Sequence, residues 1–245
     1  MKTILVIPDT QIRAGSPLAR FKAVSNYIFK HRPDYIVHLG DLVELEFLYR
    51  KTNKSRWTED SATETVELIA AEFAHVNRAL RLMFGRLEPL AKRLKKSKKK
   101  PYNPTKALTL GNHDQRANTF FEATDLELNP VYRLNLEWFD QICNYGESIQ
   151  LEGITFTHAG SWGDNGPSSL TNRRDYSESM VVGHSHLADC VLGRTVSGRG
   201  TCSVMAGCFM DPKELEHIHS YGQATPSYRA NIWNGVVVLH AVDGT

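Results

Sequence analysis

The chain has 245 residues, 41% of them hydrophobic and 23% charged, with a net charge of +2. This suits one globular α/β domain with a well-buried core, and so small a net charge singles out no class of partner. No apolar run approaches membrane-spanning length. The five residues 4–8 ahead of Asp9 are too few for the apolar region of a secretory leader, so the expected location is cytoplasmic. Cys143, Cys190, Cys202 and Cys208 show no CxxC spacing and read as reduced core thiols.

Residues 3–8 are apolar and β-branched and predict a buried strand. Pro17 opens a helix to about His31, with Phe21, Val24, Ile28 and Phe29 on one face. Pro33 stops it, and residues 35–39 form a second strand ending in Gly40-Asp41. This β-α-β order favours a parallel pair with a right-handed crossover. A helical, basic insert follows over about residues 50–105. Val66, Ile69, Phe73, Val76, Leu80, Met83, Leu87, Leu90 and Leu94 recur at spacings of three and four, a heptad seam. Gly85 and Pro89 interrupt it, which favours one or two helices packed across the domain; a homodimer through this insert is the alternative. Seven of the nine residues 92–100 are basic. Such a run either solvates a helix C-terminus or holds a nucleic-acid backbone, with Trp57 and Tyr102 available to stack on bases.

Residues 106–110 predict a third strand, ending in Gly111-Asn112-His113-Asp114. From about 119 to 144 the pattern suggests short helices and turns. Residues 149–151 and 154–157 flank Glu152-Gly153 as a hairpin, and the second of these strands ends at His158. Residues 180–182 run into Gly183-His184-Ser185-His186, and strands at 191–196, 203–206 and 235–241 complete a β-rich half. Neither a repeat nor a linker divides residues 1–245, which read as a single domain.

Five predicted strands thus end in polar clusters: Asp9-Thr10-Gln11, Gly40-Asp41, Gly111-Asn112-His113-Asp114, His158 and Gly183-His184-Ser185-His186. Ligands of open α/β sheets sit outside the carboxyl ends of strands, and carboxylates, an amide and imidazoles suit a borderline divalent metal. Each cluster alone is weak: Gly-Asp is usually a turn, and a lone His is more often a core or surface residue than a ligand. The ordered set resembles the calcineurin-like metallophosphoesterase superfamily, marked by D-x-H, G-D, G-N-H-[DE], a lone His and G-H-x-H. Within it the chain is most similar to compact phosphoesterases of bacteriophages and prophages, which also tend to carry Gln in the first motif.

The resemblance implies a four-layer α/β fold, two packed mixed β-sheets flanked by helices, with two divalent metal ions at one edge. Asp9, Asp41 and His186 would hold one ion, with Gln11 at the usual histidine place. Asp41, Asn112, His158 and His184 would hold the other, Asp41 bridging. His113 would face the substrate and assist the leaving group, oriented by Asp114. The implied function is hydrolysis of phosphoesters, most simply phosphodiesters, by a metal-activated hydroxide. A DNA or RNA nuclease and a small-molecule or cyclic-nucleotide phosphodiesterase both fit; an inactive binding or scaffold protein is the reading from another class. An amide oxygen is neutral and harder than imidazole nitrogen, so Gln11 favours Mn²⁺ or Mg²⁺ over Fe or Zn²⁺; loss of the site is the competing account of Gln11. Arg13 and Arg116, two residues past ligand motifs, either clamp a substrate phosphate or are surface arginines. Trp162, in the loop 160–166, either borders the pocket or anchors the loop.

Overall fold

Alternate residues of the first strand face two different cores. In β1 (Lys2–Ile7), Leu5 and Ile7 join Phe21, Ile28, Ile69, Val76 and Leu80 from helices, whereas Ile4 and Val6 join Phe156, Val181 and Ala206 from a second sheet. The period-two strand pattern therefore dictates the layering. The computed structural model describes residues 1–49, 59–124, 126–159, 178–215 and 232–241; Trp57 and the loop 160–166 lie outside them.

The elements that follow are α1 (Ala19–His31), β2 (Tyr35–His38), α2 (Glu46–Tyr49), α3 (Glu59–Phe84), α4 (Leu87–Lys96), β3 (Thr105–Thr109) and α5 (Asn112–Thr124). Then come β4 (Gln141–Cys143), β5 (Ile149–Leu151), β6 (Ile154–Thr157), β7 (Ser179–Val182), β8 (Ala188–Arg194), β9 (Gly200–Ala206) and β10 (Val237–Ala241). One sheet has the order β10-β1-β2-β3-β4 and the other β5-β6-β7-β9-β8. Both are mixed: β1, β2, β3 and β4 run parallel with β10 antiparallel, while β6, β7 and β9 run parallel between antiparallel β5 and β8. The two sheets pack face to face with helices flanking, as expected from the resemblance.

Local chemistry explains the boundaries. Arg32 adopts a left-handed conformation (φ 50°) and returns its N–H to the Ile28 carbonyl, closing α1. The heptad run divides at Gly85, and Pro89 falls in the first turn of α4, where an N–H has no helical partner to lose. Ile69, Phe73, Val76, Leu80 and Met83 of the seam are buried in the chain's own core, as are Leu90 and Leu94. Glu152 (φ 52°) and Gly153 (φ 73°) form the tight β5–β6 turn.

Three expectations need correction. The segment after the third strand holds the expected short helices, single 3₁₀ turns at Pro130–Tyr132 and Leu136–Trp138, but they follow a longer one: α5 starts at Asn112 itself, where Asp41 Oδ1 accepts the His113 amide of its first turn. Within 119–144 there is also a three-residue edge strand, β4, too short to leave a period. Of the four thiols only Cys208 is buried; Cys190 is exposed, with its sulfur 3.6 Å from that of half-buried Cys202 on the neighbouring strand.

Candidate metal centre

Parallel register places the carboxyl ends of β1, β2 and β3 side by side, and the loops leaving them are tied together. The Thr10 and Gln11 amides donate to the Asp41 carbonyl at 3.1 and 2.8 Å, and Ile12 donates to Leu42 at 2.9 Å. Gln11 (φ 38°), Asp41 (φ 45°), His184 (φ 67°) and His186 (φ 59°) all occupy the left-handed region. That costs about 1 kcal/mol or more each and persists only where surroundings impose it. The motif glycines make room for carboxylates. A Cβ on Gly111 would lie 2.1 Å from Asp41 Oδ1, and one on Gly183 would lie 2.6 Å from Asp9 Oδ1.

The side chains converge in two groups that share one member. Ligand atoms of Asp9, Asp41 and His186 lie within 4.8 Å of one another, and so do those of Asp41, His158 and His184. Asn112 Oδ1 sits 3.1 Å from His158 Nε2 and 3.0 Å from His184 Nδ1, which adds it to the second group. Gln11 Nε2 sits 3.3 Å from both Asp41 Oδ2 and His186 Nε2, which adds it to the first.

These donors fit cations. His158 Nδ1 lies 2.6 Å from the Leu39 carbonyl and donates to it. Its Nε2 then faces Asp41 Oδ1 at 3.4 Å and Asn112 Oδ1, a place for a second proton or a cation. Gln11 Oε1 is buried without a partner among the described residues. Turning that amide over exchanges oxygen and nitrogen without changing shape and aims the oxygen between Asp41 and His186. Burial would raise the Asp41 carboxyl, but His113, His158 and the His113 amide hold it below the usual carboxylate range. Burial would lower His158, yet Asp41 and Asp9 raise it; His184 is lowered by burial and by His158. The set gathers the carboxylates of Asp9 and Asp41 among imidazoles and backbone amides, the electrostatic setting of a divalent ion site.

His113 stands beside this cluster, its amide donating to Asp41 Oδ1 at 2.9 Å and its Nε2 3.8 Å from Asp41 Oδ2. Its expected partner is corrected. Asp114 accepts from the amides of Leu42 (2.8 Å), Val43 (3.4 Å) and Gly111 (2.8 Å). Successive residues of a helix project about 100° apart, so Asp114 braces the two loops below α5 while His113 faces the cluster. The group at His113 Nδ1 is Glu44, through its carbonyl at 2.9 Å and its carboxylate at 3.4 Å. Burial pulls the His113 imidazole down, but Asp41 and Glu44 outweigh it and raise it to about 9. Arg116 Nη2 at 2.8 Å from Nε2 needs a lone pair there, so that contact belongs to the neutral ring; the charged ring, which Asp41 and Glu44 favour, carries a proton at Nε2 in its place.

The two arginines differ. Arg13 reaches Glu46 and Glu214 at 2.8 Å and Glu44 at 3.7 Å, so three carboxylates already match its charge. Arg116 donates to the Glu44 carbonyl at 2.8 Å and touches His113. Sequence reasoning passed over Glu44, whose signal was an acid three residues past Asp41. It also passed over His38, fully buried, lowered to about 3 by burial and so neutral, whose Nδ1 accepts the Gly40 amide at the turn before Asp41.

Ligand-bearing loops along one edge of two packed mixed sheets, with one aspartate common to two ligand groups, define a metallophosphoesterase type of centre. The chain matches the calcineurin-like phosphoesterase family over residues 2–203 and belongs to that family. It is similar to the Gene 54 protein of Mycobacterium phage L5, with 32% identity over 261 aligned positions covering 99% of this chain and 90% of that one. Both the family and the phage-like resemblance expected from the motifs are borne out. No described helix is long and apolar enough to cross a membrane.

Proposed function

We propose that the chain hydrolyses phosphodiesters at a dinuclear metal centre. The observation that carries this reading is Asp41, buried and common to both ligand groups. Asp9, Gln11, Asp41 and His186 would hold one divalent ion, and Asp41, Asn112, His158 and His184 the other, with Mn²⁺ favoured by the amide of Gln11. When bound, a pair of such ions neutralises phosphate charge and supplies hydroxide near neutral pH.

The chain's own residues do the rest. His113, held at Nδ1 by Glu44, gives a proton or hydrogen bond to the leaving oxygen, worth about 10²–10⁴-fold. Arg116 positions that ring and is the better placed of the two arginines to meet a phosphate oxygen. Arg13 is matched by carboxylates and Arg116 is engaged with Glu44 and His113. That balance suits the single charge of a diester over the double charge of a monoester.

The test is hydrolysis of bis(p-nitrophenyl) phosphate by metal-stripped protein titrated with Mn²⁺, beside His113→Ala. We expect metal-dependent turnover that falls about 10²–10⁴-fold in the variant, with both metal equivalents retained. Loss of metal from His113→Ala would overturn its role. Absence of turnover in folded, Mn²⁺-loaded protein would overturn the enzyme reading in favour of a binding protein on this fold.

A further inference from the structure

The lysine run and the metal centre lie at opposite ends of the first sheet. α4 leads through residues 97–104 into the start of β3, where the Thr105 amide donates to Asp34 and the Tyr102 hydroxyl donates to the Pro33 carbonyl at 2.8 Å. That is the amino-terminal edge of the sheet. α1 ends at the same edge, bringing Lys30 and Arg32 beside the run. Arg86 and Arg93 both lie over the Phe29 ring, at 4.4 and 5.6 Å, and fasten α4 to α1. The ligand loops leave the carboxyl edge, and the six residues of β1 at about 3.3 Å each separate the two edges by ~20 Å.

The charge is concentrated there. Residues 86–100 carry eight cations and one anion, a net +7 in a chain whose total is +2, which leaves the remainder at −5. The nearby acids are already matched, Glu88 by Lys92 and Asp34 by Lys2. Among the described residues, Lys30, Arg32, Lys95, Lys96, Lys98, Lys99 and Lys100 have no carboxylate within ion-pair distance, and all are exposed. The apolar residues of α4, Leu90 and Leu94, point into the core, so this edge offers cations without an apolar face to enter a bilayer. Tyr102 is half-buried with its hydroxyl held by the Pro33 carbonyl, so the proposal rests on the cations and not on stacking.

We propose that this amino-terminal edge is a docking surface for a nucleic-acid backbone, separate from the metal centre and read through phosphate charge alone. It deepens the phosphodiesterase reading, because it specifies a nucleic acid held remotely from the reacting bond. Long chains gain affinity from the edge, and short or small substrates do not.

The experiment is fluorescence anisotropy of a labelled 30-base-pair DNA duplex with metal-free protein in EDTA. Binding is thereby read without catalysis, and a failure here is distinct from failure of the phosphodiesterase reading. Engagement of about five phosphates predicts a ~500-fold loss of affinity between 50 and 200 mM salt. The combined variant Lys95→Gln, Lys96→Gln, Lys99→Gln, Lys100→Gln, checked by circular dichroism and thermal melting, is expected to bind more than ~100-fold more weakly at 50 mM salt with a correspondingly shallower salt slope. Its Mn²⁺-dependent turnover of bis(p-nitrophenyl) phosphate should match that of the parent. Unaltered duplex affinity in the folded variant, no binding by the parent at 50 mM salt, or binding to phosphatidylserine vesicles without binding to the duplex would each overturn the proposal.

Discussion

Removing the Asp114 carboxylate tests whether it serves the loops or the catalytic imidazole. In Asp114→Ala the amides of Leu42 and Gly111 each lose an acceptor at 2.8 Å, and Val43 loses a longer one. An unpaired buried donor costs about 1–3 kcal/mol, so two strong ones give ~2–6 kcal/mol. Two features pull the figure down. Burial and the charge of Asp41 push Asp114 up to about 7, so the parent already bears a cost for keeping it ionised. Asp114 also lines a cavity of about 360 Å³ with Phe73, Ala117 and Phe121, through which water can reach the freed amides. The expected loss is therefore about 2–3 kcal/mol, a large share of a typical domain stability of roughly 5–15 kcal/mol. Urea unfolding of metal-stripped protein measures it, and Mn²⁺ titration should show weakened binding as the Asp41 and Asn112 loops loosen. A variant of parental stability and metal affinity that has lost only turnover would refute this reasoning and return Asp114 to His113.

Glu72 is buried and accepts from the Leu45 amide at 2.9 Å, and burial raises it from 4.5 to about 7. A raised folded value means its stabilising contribution is whole below about pH 4.5 and lost as pH rises through about 7. Relative to Glu72→Gln, the parent should therefore weaken across that window by up to about 3 kcal/mol; parallel melting curves from pH 4 to 8 would exclude this. Gly111→Ala should push Asp41 aside and abolish binding at both ion sites, so two equivalents of Mn²⁺ by elemental analysis would contradict the assigned crowding. Gln11→His should shift preference from Mn²⁺ toward Zn²⁺ in a competition titration, and an unchanged preference would remove Gln11 from the ligand set.

The division between what was legible beforehand and what was not follows the range of the forces involved. Residues 3–8, the hairpin turn at Glu152-Gly153 and the seam from Val66 to Leu94 were readable because apolar period and turn chemistry are local properties. The ligand motifs were readable for a related reason. Each lies where a strand stops, and parallel strands of one sheet must bring their carboxyl ends together. That groups Asp9 with Asp41 from one sheet and His158 with His184 and His186 from the other; it was the family resemblance carried by the order of the motifs that joined the two.

Side-chain partnership is another matter, since it depends on direction in space. The resemblance implied that Asp114 orients His113, but the helical turn of α5 sends the two apart, and Glu44 comes in from another loop. Arg13 read equally as a phosphate clamp or a surface arginine, and is engaged instead by Glu44 and Glu46 from one segment and Glu214 from another. The lysine run could be counted from the sequence, yet its place depends on where α4 enters β3. Periodicity and turn chemistry determined the strands, helices and loops, and the motifs, through the resemblance they carry, the layers and the kinds of ligand. Tertiary packing decided which charge meets which, because Coulombic and hydrogen-bond partners are chosen by distance through space and not by separation along the chain.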